Sequence, residues 1–161
     1  MAADIFAKIG DIKGESLDDK HKDEIEVMSI SWGVSNSGSM AFGSGGGEGK
    51  ATFHDLTFMH RVDKATPILM QACATGTHLK DGIITYRKAG KGQQEYMIVK
   101  LADIIVTAVQ HAHGGSASDG ATESVSLSFS KVAFEYKPQK ADGSLEAGIF
   151  FKYDLKAQKE G

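Results

Sequence analysis

Alternation of apolar and polar residues with a period of two runs through most of the chain, and the places where it breaks are as telling as the runs. Ile5, Ala7 and Ile9 alternate with Phe6 and Lys8, which predicts a short strand over 4–10 ending at Gly10. In the next run Met28, Ile30 and Trp32 fall on one side and Ser29 and Ser31 on the other, predicting a strand with one apolar and one small hydroxyl face. The stretch after it ends in Gly43-Ser44-Gly45-Gly46-Gly47-Glu48-Gly49-Lys50 and brings almost no apolar area to a core. A long arm of this kind in a small domain is either disordered or used to touch something else. Residues 50–60 read as another strand, with Phe53, Leu56 and Phe58 inward across a break near Asp55.

One helix is predicted, over 66–76. Thr66 suits the N-cap, Pro67 the first helical position and Gly76 the left-handed position past the end, with Leu69, Ala72 and Cys73 on one face. Strands over 82–88 and 95–113 follow, separated by the turn Ala89-Gly90-Lys91-Gly92. From 121 to 136 the apolar residues Val125, Leu127 and Phe129 are odd-numbered, but Val132, Phe134 and Tyr136 are even-numbered. About 16 residues of straight strand would exceed 50 Å, so the change of phase near Lys131 predicts a bulge or bend passing one strand from one sheet to another. A last strand alternates through Ile149, Phe151, Tyr153 and Leu155, and offers an edge for a neighbour to cover. Seven or eight strands with one helix predict a mainly β, antiparallel two-sheet sandwich or β-barrel with a short flanking α-helix and an extended glycine-rich loop, a single domain over 1–161.

Composition narrows the function. A formal net charge of -3 argues against an electrostatic grip on nucleic acid or on an anionic bilayer. The single cysteine, Cys73, excludes an internal disulfide and a thiolate metal cluster. Asp4, Lys8, Asp11 and Lys13 interrupt the apolar residues near the N-terminus, so neither a signal peptide nor a membrane-inserted segment is expected. The glycine arm fails as a phosphate loop, because Ser44 stands where its first glycine belongs and Ala51 where its metal-binding hydroxyl belongs. His111 and His113 project from one strand face and could give two imidazoles to a metal, or they are polar residues at a strand end; no third ligand can be named. Acidic residues are scattered, no nucleophile elbow is present, and neither an active site nor a cofactor is expected. What remains are the hydroxyls Ser29 and Ser31 on one strand and Ser124, Ser126, Ser128 and Ser130 on another, which form either an ordinary solvated sheet face or a wall along which a passenger slides.

Several motifs in succession resemble one family. Asp4-Ile5-Phe6-Ala7-Lys8-Ile9, Lys13-Gly14-Glu15-Ser16, Ser31-Trp32-Gly33 with Ser37-Gly38, Gly49-Lys50, Asp63-Lys64-Ala65-Thr66-Pro67 and Tyr136-Lys137-Pro138-Gln139 together resemble Hcp, the haemolysin-coregulated proteins of type VI secretion systems. Ile30 departs from the tryptophan that many members carry there. The resemblance implies a barrel that assembles as a hexameric ring. Such rings stack head to tail into the inner tube of a contractile sheath, beneath a VgrG spike, and the lumen carries effector proteins. It implies secretion through that system from the cytoplasm, and no catalysis. Ser29 and Ser31 would face the lumen, and the arm holding Ser37, Gly38, Gly43, Gly45, Gly46 and Gly47 would reach a neighbouring subunit or ring.

Overall fold

A computed structural model of the chain describes residues 3–38, 51–88, 92–115 and 120–161. Its elements are β1 (Ala3–Ile9), β2 (Ile25–Ser31), β3 (Val34–Asn36), β4 (Ala51–Phe53), β5 (Leu56–Arg61), α1 (Ala65–Thr75), β6 (His78–Lys88), β7 (Glu95–His113), β8 (Ala121–Tyr136), β9 (Ile149–Asp154) and β10 (Lys159–Glu160). Eight strands hydrogen-bond in the order β10-β9-β8-β5-β2-β1-β6-β7, and β7 also pairs with β8. The strands β8, β5, β2, β1, β6 and β7 therefore close into a six-stranded barrel, with β9 and β10 outside it. Every pairing is antiparallel. Of the sandwich or barrel that the alternation allows, the structure forms the barrel that the family resemblance implies.

The barrel is filled by side chains. Ile9, Ile25, Leu56, Phe58, Ile84, Ile104 and Leu127 are wholly buried, each adding about 1.5–3 kcal/mol relative to exposure. The helix lies against β7 and sets Leu69 and Ala72 into the same core, while Cys73 is half-buried. Its start differs from the expectation. The Asp63 carboxylate accepts the Ala65 N–H at 2.8 Å, so the helix begins one residue before the predicted cap, and the Thr66 hydroxyl points inward instead. Gly76 ends it with φ 63°, as expected.

Three interruptions shape the barrel. On β2 the register shifts between Val27 and Ser29, leaving Met28 as an extra residue. Ile25 and Val27 point inward before the bulge and Ile30 packs against the core after it, so Met28 is 52% exposed rather than sharing a face with Ile30 and Trp32. On β7, Asp103 adopts φ 53° opposite Ser130 of β8, whose hydroxyl donates to the Asp103 carboxylate at 2.9 Å. Here both strands change phase: Leu101 and Val132 are buried on one side of the bend, and Ile104 and Phe129 on the other. The expected phase change of β8 is therefore real, and it recurs in its partner. Ser130 is consequently buried, not a member of the outward serine face. The register of β7 on β8 also shifts at Thr107, whose hydroxyl donates to Asp55 at 2.6 Å.

The bend gives β8 two partners. Its first half pairs with β5 and its second half with β9, while β7 accompanies it throughout. Outside the barrel, β3 and β4 form a separate two-stranded sheet, and Phe53 of β4 packs 4.8 Å from Tyr153 of β9. The connection over 11–24 is also ordered by contacts. The backbone at Gly14 runs so close to β2 that a Cβ there would lie 2.5 Å from the Glu24 carbonyl oxygen, which excludes any other residue without a shift. Trp32, on the apolar face predicted for its strand, is half-buried at the core margin, 6.0 Å from Phe134.

Candidate functional site

The bulge at Met28 fixes which side chains of β2 turn away from the core. Ser29 and Ser31 do, and both are exposed. Register then extends two rows across four adjacent strands: Ser31, Thr57, Ser126 and Ala108 in one, Ser29, Met59, Ser124 and Gln110 in the other. Neighbouring members stand about 4.8 Å apart. The layer between them, Ile30, Phe58, Val125 and Val109, packs inward. Thr57 and Ser126 share a hydroxyl–hydroxyl hydrogen bond of 2.9 Å. Neither row contains an ionisable group. The surface is a neutral wall of short hydroxyls with one thioether, Met59, 41% exposed.

Thus the structure brings Ser29 and Ser31 together with Ser124 and Ser126 on one surface, joined by Thr57, which sequence reasoning did not single out. Ser37 and Gly38 lie elsewhere, exposed at the end of β3, where the Gly38 N–H donates to the Asn36 side chain at 3.1 Å. Gly43, Gly45, Gly46 and Gly47 lie outside the described residues. His111 and His113 are exposed on the last turns of β7, and among the described residues no three His, Cys, Asp or Glu side chains are placed to hold a metal ion.

Behind the wall lies a polar cluster absent from the sequence reading. His60 and Glu123, both wholly buried, meet through Nε2 and Oε1 at 2.6 Å, and the Thr66 hydroxyl donates to the same carboxylate oxygen at 3.1 Å. Together they tie β5, β8 and α1 to one point. Asp63 Oδ2 stands 3.9 Å from the other ring nitrogen of His60, and burial raises its carboxyl pKa. The signal was in the alternation: His60 continues the inward phase of Leu56 and Phe58, and Glu123 that of Val125 and Leu127.

A second cluster anchors the 11–24 connection. The buried Arg87 guanidinium donates to Asp18 at 2.6 and 2.9 Å and to Asp4 at 3.1 Å, and lies 4.9 Å from the centre of the Phe6 ring. The hydrogen bond from Arg87 holds the Asp18 carboxyl far below the usual range. His21 stacks on Phe6 at 4.4 Å, with Glu24 at one ring nitrogen and Glu95 at the other. Phe6, outward by alternation, is buried by this cover.

Among the described residues the fold is a closed six-stranded antiparallel barrel with one flanking helix and a neutral outer wall. The family model for the type VI secretion system effector Hcp matches residues 6–136. Protein hcp1 of Pseudomonas aeruginosa is 48% identical over 149 residues, covering 92% of this chain and 91% of its own. The crystal structure of Hcp1 from Salmonella typhimurium is 38% identical, with a TM-score of 0.80 over 100% of both chains. A structure titled a type six secretion system protein reaches a TM-score of 0.93 at 28% identity, over 99% of this chain and 100% of that one. The chain belongs to the Hcp family of type VI secretion proteins.

Proposed function

We propose that this protein is the structural subunit of the inner tube of a type VI secretion system, forming hexameric rings that stack into a hollow, secreted cylinder. Its partners are further copies of itself, the VgrG spike, the contractile sheath and the small effector proteins carried in the lumen. The observation that carries this reading is the neutral wall across β2, β5, β8 and β7. Exposed sheet faces ordinarily bear lysine and glutamate, whereas these two rows carry hydroxyls, alanine, glutamine and methionine. A bore lined this way neither traps charged cargo electrostatically nor offers it a broad apolar patch. Ser29 and Ser31 then face the passage. Ile149 and Phe150, 64% and 59% exposed on β9, supply an apolar edge for a neighbouring copy to cover, and contact with an adjacent subunit or ring is assigned to the arm from Asn36 to Lys50, most of which lies outside the described residues.

Size-exclusion chromatography with light scattering, followed by electron microscopy of the peak, tests the assembly directly. Annular particles of six chains are expected. A lone chain at every concentration would overturn the proposal and favour a monomeric barrel.

A further inference from the structure

Two outer surfaces of opposite charge lie on different walls of the barrel. On one, Lys100 of β7, Lys131 of β8 and Lys152 of β9 rim a groove of about 200 Å³ floored in part by Ala102 and Ala133. Register places Lys100, Ala133 and Lys152 in one row across these strands, so the two lysine positions stand two strand spacings apart, about 9.6 Å. Their charges are weakly engaged. Lys100 has no carboxylate partner among the described residues, the Lys152 ammonium lies 5.3 Å from the Phe150 ring, and Lys131 approaches Asp154 only to 3.9 Å.

On the other surface, Glu15, Glu26 and Asp63 line a cavity of about 350 Å³ together with Met28 and Arg61. Burial raises the Asp63 pKa, the Ala65 N–H and His60 oppose that rise, and Glu15 and Glu123 add to it. Glu26 and Met28 are both exposed. They belong to β2, which is three strands from β7 in either direction round the barrel. One molecule thus presents an under-neutralised cationic rim and an under-neutralised anionic cavity on well-separated walls.

Symmetry decides what such a pair of surfaces can build. A two-fold contact sets each surface against its own copy, bringing like charges together. A head-to-tail contact sets opposite charges together and closes into a ring when the rotation permits. We propose that neighbouring copies in the ring meet with the Lys100, Lys131 and Lys152 rim of one against the Glu15, Glu26 and Asp63 cavity of the next. The inference rests on the ring proposed above and assigns its subunit contact an electrostatic, directional character.

The test reverses each surface separately in the full chain. Lys100→Glu/Lys152→Glu makes both surfaces acidic, and Glu26→Lys/Met28→Lys makes the cavity basic; these four positions are exposed, and thermal melts matching the parent confirm folding. Mass photometry at about 0.05 M NaCl should show each variant alone with a ring dissociation constant raised about tenfold or more. An equal mixture should recover rings, because alternating the two variants restores opposite charges at every contact and six is even. Parent rings should weaken as salt rises to about 1 M, where charges are screened beyond about 3 Å. Rings that survive either reversal, or a mixture that stays dissociated, overturn the charge pairing while leaving the ring intact as a proposal. A parent protein that is monomeric throughout overturns the ring itself.

Discussion

The same two strands build two unlike walls. Above the bend at Asp103 and Ser130, β7 and β8 present hydroxyls, alanine and glutamine outward; below it they present Lys100, Lys131, Ala133 and Glu135. The layers behind differ as well. Val99, Leu101 and Val132 back the charged wall with hydrocarbon, whereas His60, Glu123 and Thr66 back part of the neutral one with a buried hydrogen-bonded cluster. Outer and inner polarity are thus exchanged: the wall with the quiet exterior has the polar interior. A surface without ionisable groups does not require an apolar layer beneath it, because α1 covers the cluster and Thr66 completes it.

The largest effect should separate those two layers. Glu123→Leu strands His60 without its partner and should cost about 3–5 kcal/mol, against about 2 kcal/mol for Val132→Ala in the hydrocarbon layer; chemical denaturation measures both. Adding His60→Phe to Glu123→Leu should recover much of the loss, since replacing both partners of a buried hydrogen bond by apolar groups of similar shape costs little. A double variant as unstable as the single would show that the cluster matters for its shape and not for the polar group left unpaired. Trp32→Ala should cost about 2–3 kcal/mol, below the value for a fully enclosed indole, because it sits at the core margin. At the bend, Asp103→Ala removes the hydrogen bond from Ser130 and leaves a Cβ-bearing residue without local support at φ 53°, for about 1–2 kcal/mol.

Acid titration sharpens the comparison further. Asp18 is held below its ordinary value of 3.8 by the Arg87 hydrogen bond, so its contribution is complete above that pH and is lost as pH falls beneath it. Asp63 has the opposite sign. Its raised pKa means the folded state takes up its proton more readily, so acidification through that raised value relieves strain near α1. Asp18→Asn should therefore flatten the decline in melting temperature below about pH 4, and an unchanged acid limb would show that the Arg87 contact is not what stabilises the 11–24 connection. Ser31→Arg should leave stability unchanged within about 0.5 kcal/mol while altering the cargo that co-purifies with rings. An identical cargo profile would count against a lumenal Ser31.

Much of this architecture was legible because alternation reports burial directly. The limits of β7 and β8, the phase change between Phe129 and Val132, and the left-handed stop at Gly76 all follow from residue type and spacing. The bulge at Met28 did not, since an extra residue changes the phase without a marker: methionine suits either face, and Ile25 and Val27 hinted that the inward set was odd-numbered before it. Thr66 satisfied the cap rule but was claimed by Glu123, a partner 57 positions away. His60 and Glu123 sat in the inward phase and were passed over as titratable residues. Of the wall itself, Ser29 and Ser31 were recognised from β2 alone, whereas Thr57 and Met59 joined them only through strand pairing, which no single segment encodes. Gly43 to Gly47 lie beyond the described residues and stand as a proposal.

The hinge where Ser130 grips Asp103 has an evolutionary corollary. By resetting which alternate residues point outward, it lets one half of each long strand change its alphabet without obliging the other half to follow. A lineage could retune the neutral wall, the bore of the proposed ring, and keep the lysine-bearing wall, or the reverse, one substitution at a time.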